Sequence, residues 1–205
     1  MASPAIPTLS AYGAEMPAIG FGTSSLGDCG EIVASALRLG YRHIDTAWKY
    51  GTERGVGEGI RASGLPRNEI FLTTKVSHEY LRADDFARSV EQSLKTLGVD
   101  FVDLLLVHWP NPEIPLSEPM PALAKAKRQG LARHIGVANF NIAMQRQSRS
   151  LPQPSTGLAV PRRWWPTWSV LYCRFGLSWL MTSLSDAISN SGSQAGTHGR
   201  KRALI

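Results

Sequence analysis

Short apolar runs and longer amphipathic stretches alternate along the chain from about residue 16 to residue 139. The short runs are typical of buried strands, and the longer stretches repeat apolar residues at the three- and four-residue spacing of helices. The pattern predicts helices at residues 31–38, 53–62, 83–97 and 117–128. It predicts strands between them, at residues 18–23, 41–47, 70–76, 101–109 and 133–139. Ahead of these units, residues 8–17 predict a small hairpin that caps one end.

The third helix and the fourth strand have the clearest patterns. Residues 101–109 are almost continuously apolar, which is typical of a parallel strand buried on both faces. The helix at residues 83–97 ends at Gly98, a favourable C-cap, and has one apolar stripe made of Phe86, Val90, Leu94 and Leu97. Because strands and helices alternate throughout, the fold class is α/β with a parallel sheet, either an open doubly wound sheet or a closed barrel.

The alternation stops after Met144. Residues 1–144 carry 14 Lys and Arg against 15 Asp and Glu, whereas residues 145–205 carry 8 against 1. Folded surfaces normally mix charges of both signs. We therefore expect a folded region at residues 1–144 and an irregular basic tail at residues 145–205. Our hypothesis is that a reading-frame shift, a retained intron or altered splicing produced this tail, and the alternative is a lineage-specific basic extension.

Composition excludes several classes of function. Cys29 and Cys173 form no CxxC pair and are too few for a disulfide scaffold, which favours a reducing, cytoplasmic compartment. We recognise no secretory signal at the N-terminus, no apolar run of the roughly 20 residues that a membrane span needs, and no metal-ligand spacing. No basic face with regularly spaced aromatics is present. We therefore expect neither nucleic acid nor a membrane as a partner.

Four reactive side chains lie at or just beyond the ends of predicted strands. Asp45 lies near the end of the second strand, Tyr50 follows that strand, Lys75 lies near the end of the third, and His108 near the end of the fourth. Because the carboxyl ends of successive parallel strands meet on one face, a barrel or sheet would bring all four together. An acid at the end of one such strand is more often a turn cap, and a lysine there is more often solvated. The four in this order favour a catalytic site.

With these residues in view, the chain resembles the aldo-keto reductase family, nearest to its bacterial branch of 2,5-diketo-gluconate and small-aldehyde reductases. The resemblance covers about residues 16–144. It rests on five strings: Gly20-Phe21-Gly22-Thr23, His43-Ile44-Asp45-Thr46-Ala47 with Tyr50-Gly51, Thr73-Thr74-Lys75, Val107-His108-Trp109-Pro110 and Gly136-Val137-Ala138-Asn139-Phe140.

The resemblance implies a parallel (β/α) TIM barrel, incomplete here at about five of its eight units, with the active site at the C-terminal ends of the strands. It also implies a nicotinamide cofactor, usually NADPH with NADH as the alternative, and reduction of a small carbonyl substrate to an alcohol. A monomer is expected for the family, and the open edges of an incomplete barrel would allow self-association.

The resemblance also implies a role for each matching residue. Tyr50 would donate the proton, Lys75 and Asp45 would activate it, and His108 would orient the carbonyl. The other implied contacts are with the cofactor, through Gly22, Thr23, Asp45 and Asn139, and along the substrate pocket, through Trp48 and Trp109.

The chemistry of carbonyl reduction supports these roles independently of the resemblance. Hydride addition to a carbonyl carbon leaves negative charge on oxygen, which a proton donor must meet. A nearby ammonium stabilises tyrosinate and so makes tyrosine a better acid. Lys75 would supply that charge, Asp45 would keep it protonated and in place, and a neutral His108 would hydrogen-bond the substrate oxygen.

Two features depart from the family pattern. The fifth-strand string has Ala138-Asn139 where the family usually has Ser-Asn, so one hydrogen bond to the nicotinamide amide is lost, worth about 0.5–1.5 kcal/mol. Strands six to eight have no recognisable counterpart, and the family's remaining cofactor contacts belong to them. A catalytically inactive reductase-derived fragment, or an interaction module, is therefore the alternative to an active enzyme. A short-chain dehydrogenase is disfavoured because its Tyr and Lys lie four residues apart on one helix, whereas Tyr50 and Lys75 are 25 residues apart on different strand-helix units.

Overall fold

We describe the protein from a computed structural model, which describes residues 6–11 and 13–151. A hairpin comes first, with strands β1 (Thr8–Ala11) and β2 (Ala14–Pro17). A five-stranded parallel sheet follows, in the order β3-β4-β5-β6-β7. Its strands are β3 (Phe21–Gly22), β4 (His43–Asp45), β5 (Phe71–Val76), β6 (Val102–Val107) and β7 (Ala132–Val137).

Helices alternate with these strands, as the sequence predicts. They are α1 (Gly30–Arg38), α2 (Glu53–Ser63), α3 (Ala83–Leu97), α4 (Pro119–Arg128) and α5 (Ile142–Ser150). Five strands in chain order, each followed by a helix, are the arrangement of part of a (β/α) barrel. The predicted fold class, an incomplete parallel barrel of the TIM type, is confirmed for the described residues.

The two faces of the sheet bury different residues because side chains alternate along each strand. Ile44, Leu72 and Leu105 pack with the helices in the main core. The opposite face has a smaller cluster that includes Phe71 and Leu104 from the sheet together with Ala14 and Met16 from the hairpin. The hairpin therefore covers one end of that face, and the prediction of a capping hairpin is confirmed.

Helix α2 lies close to both of its neighbours because glycines form its contact surfaces. A Cβ at Gly57 would stand 2.1 Å from the carbonyl oxygen of Leu97, at the end of α3. A Cβ at Gly59 would stand 2.5 Å from the carbonyl oxygen of Gly30, at the start of α1. Glycine weakens a helix, so this packing explains its presence here.

The buried Asp103 and two arginines form an ionic group at the N-terminal ends of the strands, which we call the Asp103 cluster (Asp103, Arg67 and Arg133). The Asp103 carboxylate accepts hydrogen bonds from Arg67 Nη2 at 2.8 Å, Arg133 Nη1 at 2.9 Å and the Leu72 backbone N–H at 2.9 Å. Both guanidinium groups also lie over the Phe101 ring, at 4.7 and 4.2 Å from its centroid. The cluster thus joins β5, β6 and β7.

The structure differs from the prediction at two places. The first strand of the sheet covers only Phe21–Gly22, because Ala18 N bonds Pro7 O and so continues the hairpin rather than the sheet. Helix α5, which the sequence did not predict, crosses the predicted boundary at residue 144. Its N-cap is Asn141, whose side chain accepts from Met144 N, and its few apolar residues explain why no period was visible. Residues 152–205 of the predicted tail lie outside the described residues.

Candidate active site

Lys75 stands at the centre of a group of polar side chains at the C-terminal ends of the strands. Its ammonium donates to Asp45 Oδ1 at 2.6 Å, to the Thr46 carbonyl oxygen at 2.9 Å and to the Tyr50 hydroxyl oxygen at 3.4 Å. An ammonium has three donors, so each has an acceptor. Lys75 is only 3% exposed, and the charge is therefore held where water screens it little.

The parallel register explains why Asp45 and Lys75 meet. Asp45 lies opposite Thr73 on the neighbouring strand, and Lys75 follows two residues later on the same face. Thr46 N bonds the Thr73 carbonyl at 2.9 Å, so the ladder continues one step beyond the end of β4. This step places the Thr46 carbonyl within reach of the Lys75 ammonium.

Tyr50 is carried back over the strand ends by a short helical turn, Trp48–Tyr50. Its backbone N–H bonds the Ala47 carbonyl at 3.0 Å, and Gly51 then takes the left-handed conformation at φ 70°. Glycine adopts this conformation at little cost. The turn leaves the Tyr50 ring half-buried, with Lys75 Nζ 4.9 Å from the ring centroid.

His108 completes what we call the Lys75 cluster (Asp45, Tyr50, Lys75 and His108). Its ring meets the Tyr50 ring edge to face, with centroids 5.4 Å apart. Burial, followed by the nearby charge of Lys75, lowers the pKa of His108 to about 4. The imidazole is therefore neutral at pH 7 and offers one N–H donor and one acceptor. Within the described part of the chain, its buried Nδ1 has no hydrogen-bond partner.

Two of the predicted cofactor-binding residues differ in exposure. Asn139 is exposed and takes a left-handed φ of 61°, and its Nδ2 donates to the His108 carbonyl at 2.8 Å. Thr23 is fully buried, with its hydroxyl 2.9 Å from Thr52 Oγ1 and 3.3 Å from the Asp45 carbonyl oxygen. The Thr23 side chain is thus engaged inside the protein, while the half-buried Gly22 pairs with Asp45 at the sheet edge.

The two predicted pocket tryptophans both lie next to the Lys75 cluster in sequence, and Trp109 also contacts it. Trp109 follows His108, lies 4.2 Å from its ring by centroids and is 42% exposed. Trp48 begins the turn that carries Tyr50 and meets Tyr80 edge to face at 4.8 Å. Tyr80 has no signal in the sequence that marks it as a neighbour of this site.

The sequence also missed the polar residues that support the Lys75 cluster. Thr52 Oγ1 lies 3.1 Å from Thr46 Oγ1 and is close to Thr23 as well, so three buried hydroxyls meet. Thr74 donates to the buried Glu53 carboxylate at 2.6 Å. An acid in the first turn of a helix is usually an exposed helix-dipole partner, which is why the pattern gave Glu53 no weight.

His43 is a buried histidine outside the Lys75 cluster. Its Nε2 lies 3.1 Å from Thr73 Oγ1, and burial lowers its pKa to about 4. His198 lies outside the described residues. In residues 6–11 and 13–151 no group of three His, Cys, Asp or Glu side chains could hold a metal ion. Over that same part of the chain, no helix is long and apolar enough to cross a membrane.

The described residues thus form part of a parallel β/α barrel, with a Lys-Asp pair against a tyrosine hydroxyl at the C-terminal ends of its strands. The family model for the aldo/keto reductase family matches residues 18–153. The chain belongs to this family. The predicted resemblance is therefore confirmed.

Individual relatives support the same family assignment. The chain is 47% identical over 137 residues to methylglyoxal reductase DkgB of Salmonella typhi, covering 65% of this chain and 51% of the relative. A structure described as a candidate 2,5-diketo-D-gluconic acid reductase B has a TM-score of 0.68 at 45% identity, covering 70% of this chain and 52% of that one.

A further solved structure, the Bombyx mori aldo-keto reductase in complex with NADP, has a TM-score of 0.68 at 33% identity. It covers 74% of this chain and 57% of the silkworm protein. The chain thus spans about half the length of the curated relatives it matches.

Proposed function

We propose that this protein reduces small aldehydes and ketones to alcohols with NADPH, NADH being the alternative cofactor, in the cytoplasm. The observation that carries the proposal is the Lys75 ammonium, held by Asp45 at 2.6 Å and donating to the Tyr50 hydroxyl oxygen at 3.4 Å. A relative named methylglyoxal reductase and a structure described as a diketo-gluconic acid reductase support small carbonyl compounds as substrates.

In this proposal Tyr50 donates a proton to the carbonyl oxygen as negative charge develops there. The Lys75 ammonium stabilises the tyrosinate that remains, because it already donates to the same oxygen. Asp45 holds the Lys75 ammonium in place inside a site that water screens little. The neutral His108 donates a hydrogen bond that holds the substrate oxygen beside Tyr50.

The residues present fit a nicotinamide cofactor. Because Asn139 uses its Nδ2 on His108, its Oδ1 remains an acceptor for the N–H groups of a carboxamide. Gly22 and the backbone of Thr23 would border the cofactor, and Asp45 would contact it from the floor of the site. When bound, NADPH supplies the hydride. Trp109 and Trp48 would form the apolar walls around the substrate.

The test uses the purified full chain. NADPH is titrated by fluorescence, and methylglyoxal and 2,5-diketo-gluconate are then offered as substrates while NADPH oxidation is followed. We expect saturable binding and substrate-dependent oxidation. Absence of binding at high micromolar NADPH would contradict the proposal that this chain is an active reductase.

The alternative is a reductase-derived protein without turnover that acts as an interaction module. It is favoured by the sheet itself, which ends at β3 and β7 within the described residues, since open strand edges pair readily with other chains. Size-exclusion chromatography across a concentration series distinguishes the two. A monomer that binds NADPH supports the enzyme, whereas a self-associating chain that binds none supports the module.

A further inference from the structure

The turn that carries Tyr50 is fixed to the sheet at both of its ends. At its N-terminal end, Thr46 gives its N–H to Thr73 and its carbonyl to Lys75. At its C-terminal end, Glu53 accepts a hydrogen bond from Thr74 Oγ1 at 2.6 Å. The first contact belongs to the strand ladder, whereas the second depends on one side chain.

Glu53 is an unusual acid for the start of a helix. It is only 4% exposed, and burial raises its pKa even though the hydroxyls of Thr74 and Ser93 bond its carboxyl group. In the described part of the chain no Lys or Arg forms an ion pair with it. A buried carboxyl group is costly and a surface glutamate would serve the helix dipole equally well, so the burial needs another explanation.

The position of Thr74 explains why Glu53 is buried. Thr74 immediately precedes Lys75 on β5, and side chains alternate along a strand, so the two point to opposite faces of the sheet. Glu53 therefore contacts β5 from the helix side at the point where Lys75 contacts Tyr50 from the other side. Ser93 extends the same contact to α3.

We propose that Glu53 is a positioning residue for the proton donor, which it holds against Lys75 by fixing the start of α2 to Thr74 and Ser93. The catalytic part of this inference rests on the proposed carbonyl reduction. Tyr50 lies three residues before Glu53, and its hydroxyl is already at the long end of hydrogen-bond distance from Lys75. A displacement of about 1 Å in an active site can cost on the order of 100-fold in rate.

The experiment compares four variants of the full chain. Glu53→Ala removes the carboxyl group, Thr74→Val removes its donor without changing shape, and Glu53→Gln keeps an acceptor of the same size. Ser89→Ala is the matched control, because Ser89 is a buried serine one turn before Ser93 on α3 and its hydroxyl has no partner in the described residues. Each variant is first checked for cooperative thermal unfolding.

Two readouts separate this inference from the proposed function. Backbone hydrogen exchange of the peptide covering residues 46–53 reports the turn directly and needs no turnover. Turnover per folded molecule, the Kd for NADPH, and the isotope effect of NADPH deuterated at the transferred position report the chemistry.

We expect Glu53→Ala and Thr74→Val to speed exchange at residues 46–53, to lower kcat by about tenfold or more and to raise the isotope effect, with the Kd for NADPH within about twofold. Glu53→Gln and Ser89→Ala should resemble the wild type. If Glu53→Ala fails to fold, Thr74→Val decides.

Exchange in Glu53→Ala and Thr74→Val equal to that in Ser89→Ala would overturn the inference, whatever happens to turnover. So would a kcat per folded molecule unchanged in both. If the wild type itself shows no turnover, the proposed function fails, and hydrogen exchange alone decides whether Glu53 holds the turn.

Discussion

Two buried aspartates, Asp103 and Asp45, lie at opposite ends of one sheet, and their surroundings differ. Asp103, at the N-terminal ends of the strands, bonds two guanidinium groups and a backbone N–H. Asp45, at the C-terminal ends, accepts from a lysine that also reaches a tyrosine hydroxyl. Both are buried ion pairs, but only the second includes a tyrosine hydroxyl, the proton donor of the proposed reaction.

The two clusters also differ in how far their cations are exposed to solvent. The cations of the Asp103 cluster reach solvent, with the side chains of Arg67 and Arg133 21% and 48% exposed. The Lys75 side chain, by contrast, is only 4% exposed. Each cluster has one buried side-chain nitrogen without a hydrogen-bond partner in the described residues, Arg67 Nε and His108 Nδ1. The difference between them is therefore the buried ammonium that donates to a tyrosine hydroxyl in the Lys75 cluster.

The largest effect is expected at the tyrosine. Tyr50→Phe removes the proton donor and should lower kcat by about 10²–10⁴-fold, the usual contribution of general acid catalysis. Stability should change little, because the hydroxyl accepts one long hydrogen bond. Steady-state kinetics and thermal unfolding measure the two effects. Tyr41→Phe is the control, since Tyr41 packs against Phe21 away from the Lys75 cluster, and equal losses in both variants would refute the role of Tyr50.

Asp103→Asn should act on stability alone. It leaves Arg67 and Arg133 without their carboxylate and should lower the free energy of unfolding by about 2–3 kcal/mol, less than for a fully buried pair because both arginines reach solvent. Urea unfolding measures this loss. Turnover per folded molecule should be unchanged, and a fall of more than about tenfold would show that the N-terminal end also serves catalysis.

Acid should destabilise the protein through the buried histidine His43. The folded-state pKa of His43 is about 4 against 6.5 in the unfolded chain, so between these values the unfolded state binds the proton more readily. Stability should therefore fall as the pH drops from about 6.5 to about 4, by at most about 3 kcal/mol for this group. Urea unfolding across this range is the measurement.

His43→Gln isolates that contribution. Glutamine can keep one donor and one acceptor, so the variant should lose part of the pH slope while it keeps most of its stability at pH 7. Glu53, whose pKa burial raises, opposes the trend above pH 4.5 in both proteins and so cancels in the comparison. Identical slopes would show that His43 is not responsible.

The smallest effect is expected at the rim of the site. Asn139→Gly removes the amide while keeping a residue that tolerates φ 61°, so backbone strain does not enter. Losing one or two hydrogen bonds should raise the Kd for NADPH by about 2- to 10-fold, with kcat lowered less. Fluorescence titration gives the Kd, and an unchanged value would remove Asn139 from the cofactor site.

The sequence predicted the five parallel strands, four of the helices and the members of the Lys75 cluster because each has a local signal. The apolar runs place the strand ends, and parallel pairing then brings Asp45, Lys75 and His108 to one face. Tyr50 follows from its distance to Asp45 along the chain. These features need no knowledge of contacts between distant residues.

What the sequence missed depends on such contacts. Asp103 looks like an interruption of an apolar strand until Arg67 and Arg133 are seen beside it. The glycines of α2 weaken a helix in isolation, and only the approach of Leu97 and Gly30 explains them. Glu53 resembles an ordinary first-turn acid until its bond to Thr74 shows that it is buried.

The most direct test of the central claim removes one cation from each of the two buried aspartates, Asp45 and Asp103. Lys75→Met and Arg67→Met are compared for turnover per folded molecule with NADPH and methylglyoxal, and for urea unfolding. We predict that Lys75→Met lowers kcat by at least about 100-fold in a chain that still folds, while Arg67→Met loses stability and keeps its kcat. Turnover retained in Lys75→Met, or lost equally in both variants, would contradict the assignment of the chemistry to the Lys75 cluster.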